Sequence, residues 1–398
     1  MRRIDLKTTQ VVHQSAMRDI NRQIVLNHVR ERGQISRAEI ARATAMQRST
    51  VSEIIDTLIG DGLIEEVGKG ESTGGRCPTL LRLNTSGPAA IGIDISPTQT
   101  TVATSNIAGS VLEVMSFPTD ADFEKTLTRA IACVAQLTPN GTAGIEGIGV
   151  ILPGLVDPDA GTVLYVPYFN WRDLNVSERV SSATSLNVAI DNDANAAALA
   201  ELWFGRPEVT ESRDFIMVFV HEGLGAGIVF DRQIYRGANG AAGEFGHMII
   251  GQQAPTACSC GNFDCWEAFA SGRAAVARYA QLTGQTIEHR RLSFIQLIDR
   301  AITGEVKAQT ALVETARNLS IGISNLIVGL SPEMIVIGGP ITRAWPLVAE
   351  VFRETVERSV RRGLPSASIV ASTLGESSTL MGALSLVLSG KFSLVPAA

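Results

Sequence analysis

The chain has 398 residues, 45% hydrophobic and 19% charged, enough for two or three domains with cores of their own. No uncharged apolar run is long enough to cross a bilayer, and the opening MRRIDLKTTQVVHQ lacks the apolar stretch of a secretory signal, so a cytoplasmic location without membrane contact is expected. The net charge of −6 is uneven: residues 1–84 hold 13 Lys and Arg against 10 Asp and Glu, whereas the remainder holds 21 against 30, which suggests that the first segment meets a polyanion.

Residues 18–32 place Ile20, Ile24, Val25 and Val29 at helical spacing, and Gly33 ends the run. Ser36-x-x-Glu39 is a capping box that opens a short helix over 37–43. A tight break at Thr44–Met46 leads to a third helix over about 48–59, apolar at Val51, Ile54, Ile55 and Leu58. That face leaves Gln47, Arg48, Ser49, Thr50 and Ser52 on or near the open side of the first turn, a set suited to the edges of bases in a major groove. Two strands, 63–67 and 80–83, flank the Gly-rich segment GKGESTGGR and form a wing, with Lys69 and Arg76 placed for phosphate or the minor groove. Residues 1–84 are therefore expected to be a winged helix-turn-helix; the plainer alternative is a three-helix interaction module.

From Pro88 the rhythm changes. Strands are expected over 90–95, 100–107 and 110–117, then a helix over 122–137 and a buried strand ending at Pro153-Gly154. Residues 186–205 read as strand, polar elbow and helix, and 214–230 as a hairpin through a Gly-rich turn. Further strands at 333–341 and 367–373 each follow a long helical stretch, and 391–398 reads as a frayed tail. A meander followed by alternating helices and strands indicates an α/β body with mixed sheets over 85–390. It could hold two similar halves, although no sequence repeat is visible.

The segment 247–265 carries His247, Cys258, Cys260 and Cys265, three of the five cysteines within eight residues. One imidazole and three thiolates form the closed set of a structural zinc site. Chance burial of thiols is the alternative; a disulfide is disfavoured because nothing suggests export. Cys133 sits in an apolar helix and reads as core, and Cys77 has no assigned role. Glu244 and Glu267 flank the cluster, and suit either the hydroxyls of a polyol or solvent.

These motifs resemble the ROK family of repressors, open reading frames and sugar kinases. Gly223-Leu-Gly225-Ala-Gly227, GEFGH (243–247), DNDAN (191–195) and CSCGNFDCWE (258–267) match its signatures, with Asp264 where glycine is usual. The winged segment and the STGGR-x-P approach resemble its repressor branch, the xylose and N-acetylglucosamine repressors. The resemblance spans about residues 18–390. It implies an actin-like, ribonuclease H-like body of two lobes with a sugar in the cleft between them. It implies sugar contacts at Gly154, Asn192, Asp193, Glu244, His247 and Glu267, zinc on His247, Cys258, Cys260 and Cys265, and in the family's kinases a general base at the Asp193 position.

The departures bear on function. Where the kinases have a glycine-rich phosphate loop, this chain has Asp94-Ile95-Ser96-Pro97-Thr98, and Pro97 offers no N–H. Leu224 stands where a threonine hydroxyl is expected in the second phosphate turn. ATP binding is expected to be lost, leaving Asp193 as a vestigial base. The expected protein is a homo-oligomeric repressor of carbohydrate uptake or catabolism genes, binding a palindromic operator and released by a sugar. The alternatives are a sugar kinase with an attached DNA-binding domain, and a regulator controlled by a protein partner.

The two arginines should behave differently. Arg48→Ala should reduce discrimination between operator and random DNA, whereas Arg76→Ala should weaken binding evenly and lower the salt dependence by about one phosphate contact. Operator titrations over a salt series measure both, and wild-type affinity in both variants would refute the reading surface.

Overall fold

The computed structural model describes residues 14–70, 77–284, 292–360, 363 and 367–392. Its first unit comprises α1 (Gln14–Arg32), β1 (Ile35–Ser36), α2 (Arg37–Thr44), α3 (Arg48–Gly60), β2 (Ile64–Lys69) and β3 (Thr79–Leu83). The capping box forms as expected, the Ser36 side chain accepting from the Glu39 N–H while Glu39 accepts from the Ser36 N–H. Ala45, left-handed at φ 57, makes the break between α2 and α3. Val25, Val29, Ile40, Val51, Ile55, Leu58 and Leu81 close the core over the small sheet, ordered β1-β3-β2.

The body continues with β4 (Ala90–Ile95), β5 (Gln99–Ser105), β6 (Val111–Pro118), α4 (Phe123–Leu137) and β7 (Ile148–Leu152). A side sheet of β8 (Leu155–Asp157), β9 (Thr162–Val166) and β10 (Trp171–Asn175) follows, then α5 (Val176–Thr184), β11 (Val188–Asn192) and α6 (Asp193–Phe204). The second lobe holds α7 (Pro207–Glu211), β12 (Phe215–Val220), β13 (Leu224–Phe230), β14 (Gln233–Ile234), α8 (Trp266–Ala270) and α9 (Gly272–Thr283). It ends with α10 (Phe294–Ile302), α11 (Val306–Leu330), β15 (Met334–Gly338), α12 (Trp345–Ser359), β16 (Ser368–Ala371) and α13 (Ser378–Phe392).

Two large sheets organise these elements, β11-β7-β4-β5-β6 and β14-β13-β12-β15-β16 among the described residues. Each is an antiparallel three-strand meander with two parallel strands added beside its first strand. The halves are thus one topology used twice, the two-lobed actin-like fold expected of the body. Between them lie α6 and α13, in contact with each other; α6 packs on β12 and β13, and α13 on β4 and β7. Residues 194–202 of α6 are all buried, six of the nine being alanine or asparagine-sized residues that let both sheets approach.

Two expectations change. The expected tail does not begin at 391: Phe392 is 4% exposed and completes α13, because its ring packs against Trp203 and the winged-helix core; of that tail, 393–398 lie outside the described residues. The body also holds strands β8–β10, whose short, turn-interrupted sequences carry no long alternation.

Arg30 of α1 lies with its guanidinium 4.2 Å from the Trp203 ring centre and 4.9 Å from that of Phe392. Asn27 Nδ2 donates to the Phe392 carbonyl at 2.7 Å. The winged helix is thereby seated on the ends of α6 and α13.

Close packing at the sheet–helix contact is testable. A Cβ at Gly149 would run into the Ala383 backbone carbonyl, whereas one at Gly329, inside α11, meets nothing within 4 Å. Gly149→Ala should cost about 2–3 kcal/mol by overpacking, and Gly329→Ala should add about 0.5–1 kcal/mol through helix propensity. Thermal or denaturant unfolding of the two variants reads both.

Candidate functional site

The loop ends of both lobes meet in one open cleft with about 80 Å³ of enclosed space. Gly154, φ 94, turns the chain after β7, and its carbonyl accepts from Asn192 Nδ2 at 2.8 Å. Asn192 ends β11 and caps α6, its Oδ1 accepting from the Ala194 and Asn195 N–H groups. Asp193 is the first residue of α6; Glu244 and His247 sit on a 3-10 turn entered through Gly243, φ 92; Glu267 lies in α8. All six residues expected to touch a sugar line this cleft.

The acids are not equivalent. Burial lifts Asp193 to about 7, against a hydrogen bond from the Ala194 N–H and with help from the nearby Asp94 and Glu244 carboxylates. Burial also lifts Asp94, which accepts from Thr379 Oγ1 at 2.7 Å, to about 6. Glu244 is raised, chiefly by burial, with His247 opposing. Glu267 is the exception: burial pushes it up, but Ser259 and Arg273 outweigh that and hold it below the ordinary range. Its Oε1 accepts from Arg273 at 2.7 Å and from Ser259 Oγ at 2.7 Å, and its Oε2 from the Leu224 N–H at 3.3 Å. Glu267 is therefore a rigid, charged fixture, and Oε2 is the oxygen with capacity left.

Beside the cleft, single ligand atoms of His247, Cys258, Cys260 and Cys265 lie within 4.8 Å of one another. Two edges of that figure are 3.8 Å, between the Cys260 and Cys265 sulfurs, and 3.3 Å, between Cys258 Sγ and His247 Nδ1. A tetrahedron with zinc–sulfur bonds of about 2.3 Å has sulfur–sulfur edges of about 3.8 Å, so the donor set has the size and chemistry for a thiophilic divalent ion. Burial pushes the Cys258 and Cys265 thiols up; a coordinated cation reverses that logic by stabilising thiolate. The other nitrogen, His247 Nε2, is 3.4 Å from Glu244 Oε2. One ring thus spans the cluster and the cleft.

The phosphate positions gain one residue beyond those expected. Pro97 lines the cleft, and the Ser96 and Gln99 N–H groups are engaged within their own turn. The β12–β13 turn, however, is His221-Glu222-Gly223; Leu224 pairs with Val220 in the ladder and is buried. Leu224 lines the cleft beside this turn, and Glu222 lines it from the turn itself. A carboxylate there opposes phosphate more strongly than a missing hydroxyl would.

On the winged helix, Gln47, Arg48 and Ser49 are exposed at the start of α3, with Thr50 and Ser52 half-buried beside them and Lys69 exposed at the end of β2. Arg76 lies outside the described residues. Arg37 ties this face together, bonding Asp56 at 2.8 Å and Glu66 at 3.2 Å.

Sequence reasoning missed Tyr168 and Arg273. Tyr168 lines the cleft from the β9–β10 connection, and its buried hydroxyl has no hydrogen-bond partner among the described residues. It also missed the ion pair of Arg236 with Asp191, 2.6 Å long with Asp191 1% exposed, which braces the β11 end under the site. None of these lies in a spacing pattern; only the fold brings them together.

Residues 90–389 match the ROK family, and residues 18–65 match the winged helix-turn-helix DNA-binding family. The chain belongs to the ROK family. It is 34% identical over 391 residues to the xylose repressor of Caldicellulosiruptor bescii, covering 95% of this chain and 97% of that one. The crystal structure of a ROK family transcriptional regulator, a homologue of the E. coli MLC protein, superposes with a TM-score of 0.78 at 26% identity, covering 95% and 97% of the two chains. A ROK glucokinase from Streptomyces griseus, in complex with glucose and AMPPNP, gives 0.68 at 29% identity, but covers 76% of this chain and 100% of its own.

The raised Asp193 makes a signed prediction. Its folded value of about 7 lies above the unfolded value, so this group's contribution to stability is complete at low pH and is lost as pH rises from about 4 to about 7. Asp193→Asn should match wild type near pH 4 and exceed it above pH 7, by on the order of 4 kcal/mol at about 1.4 kcal/mol per unit. Unfolding midpoints of the two proteins across that range decide the matter.

Proposed function

We propose that this chain is a sugar-responsive, DNA-binding transcriptional repressor acting in the cytoplasm as a homo-oligomer. Residues 1–84 are the reader, with Gln47, Arg48, Ser49, Thr50 and Ser52 towards bases and Lys69 and Arg76 towards phosphate. The receiver begins at 85 and, with α13, runs to 392 rather than 390. Two-fold symmetry would present two α3 helices to a palindromic operator.

The observation that carries the reading is continuity: α6 starts at Asn192-Asp193 in the cleft and ends at Trp203, against Arg30 of the winged helix. The second strut, α13, starts beside Thr379, bonded to Asp94, and ends at Phe392. A sugar held by Gly154, Asn192, Asp193, Glu244, His247 and Glu267 would draw the lobes together and move both struts. The body binds rather than phosphorylates. Pro97 and Glu222 line the cleft on the side where the family's kinases take phosphate, so Asp193 has no phosphoryl transfer to serve as general base.

Zinc on His247, Cys258, Cys260 and Cys265 would set the ring's tautomer and aim Nε2 at a hydroxyl. About one zinc per chain is expected by metal analysis, and Cys258→Ser should lower both zinc content and thermal stability.

A ligand shifts the DNA-binding equilibrium only by its differential affinity for the two states; a hundredfold change needs about 2.7 kcal/mol, within reach of one or two hydrogen bonds to charged groups. Operator titration with and without saturating sugar is the test. Release by sugar in wild type and a weakened response in Glu244→Gln are expected. Unchanged operator affinity across a panel of sugars would sink the proposal.

A further inference from the structure

The cleft's charge and its one unsatisfied hydroxyl say more about the ligand than its shape does. Among the described residues lining it, four are acids (Asp193, Glu222, Glu244 and Glu267) and none is Lys or Arg. The nearest guanidinium, Arg273, is engaged with Glu267 Oε1 at 2.7 Å and with the Glu222 carbonyl at 3.3 Å. The Asn192 amide donates to Gly154, and the Ser259 hydroxyl to Glu267. Acceptors therefore dominate, and the ligand must supply protons. Hydroxyl groups do that; a phosphate monoester at neutral pH brings negative charge and only acceptors.

Tyr168 breaks this pattern. Its hydroxyl is buried and lacks a hydrogen-bond partner, a costly condition unless something bonds to it. A Cβ on Gly223 would lie 2.9 Å from that hydroxyl and 2.9 Å from Glu267 Oε2, so both oxygens face the same bare backbone. A phenol beside a carboxylate oxygen, with no side chain between them, is a donor–acceptor pair that one ligand hydroxyl can satisfy at once.

We infer that the effector is an uncharged, unphosphorylated monosaccharide, and that Tyr168 is a specificity-determining residue that donates its hydroxyl proton to one of the sugar's oxygens beside Glu267 Oε2. This rests on the cleft being the sugar site. The same geometry explains why glycine stands at 223: a Cβ there would press against both oxygens and displace them.

The test is calorimetric titration of the full-length chain, wild type and Tyr168→Phe, with D-xylose, D-glucose and N-acetyl-D-glucosamine, each beside its phosphate monoester. At least one neutral sugar should bind wild type, and its monoester at least a hundredfold more weakly. Tyr168→Phe should lower affinity for that sugar roughly fivefold to tenfold, the loss of about one net hydrogen bond. The unliganded variant should unfold at or above the wild-type temperature, since it sheds an unsatisfied hydroxyl. A monoester that binds as well as its sugar overturns the inference, as does Tyr168→Phe with unchanged sugar affinity. If no neutral sugar binds wild type, the sugar reading of the cleft fails and this inference fails with it.

Discussion

The fold depends on burying one helix from every side. A surface helix shows an apolar stripe, but α6 has apolar and small residues around its whole circumference, and residues 194–202 are all buried. Alanine at 194, 196, 197, 198 and 200 keeps the helix thin enough for β13, α13 and the sheet edges to pack against it. Gly227 and Gly382 continue the theme on the facing elements, since a Cβ at either would strike the α6 backbone. A thin helix pinned on all sides cannot bend independently of its neighbours. Its two ends, the cleft and the winged-helix seat, are therefore mechanically one object.

The cleft shows how a kinase-type body is redirected by a few side chains. One side of the cleft keeps its carboxylates, the capped start of α6 and the His247 ring shared with the His/Cys cluster. On the opposite side, proline removes an amide, and Glu222 introduces negative charge.

The winged helix was legible almost residue by residue, because a capping box, a left-handed break and a 3.6-residue period are local signals. The strands of the body were legible as well, but their duplication was not: the repeat lies in strand order, and the two halves fill the same topology with unrelated side chains. The family resemblance brought Asn192, Asp193, Glu244, His247 and Glu267 to one cleft, and cysteine spacing marked the cluster beside it. It could not place Tyr168 or Arg273, whose positions follow from the side sheet and from the start of α9. The tail at 391 was misplaced because helix docking is decided by partners far away in the chain.

The seat of the winged helix joins residues 365 positions apart, Asn27 and Phe392. During synthesis, at about 5–20 residues per second, the first three helices can collapse long before the last helix leaves the ribosome. The reader can then exist before the joint that governs it. Control is the final step of assembly, and a chain halted before α13 would carry a DNA-binding unit detached from one of its two struts.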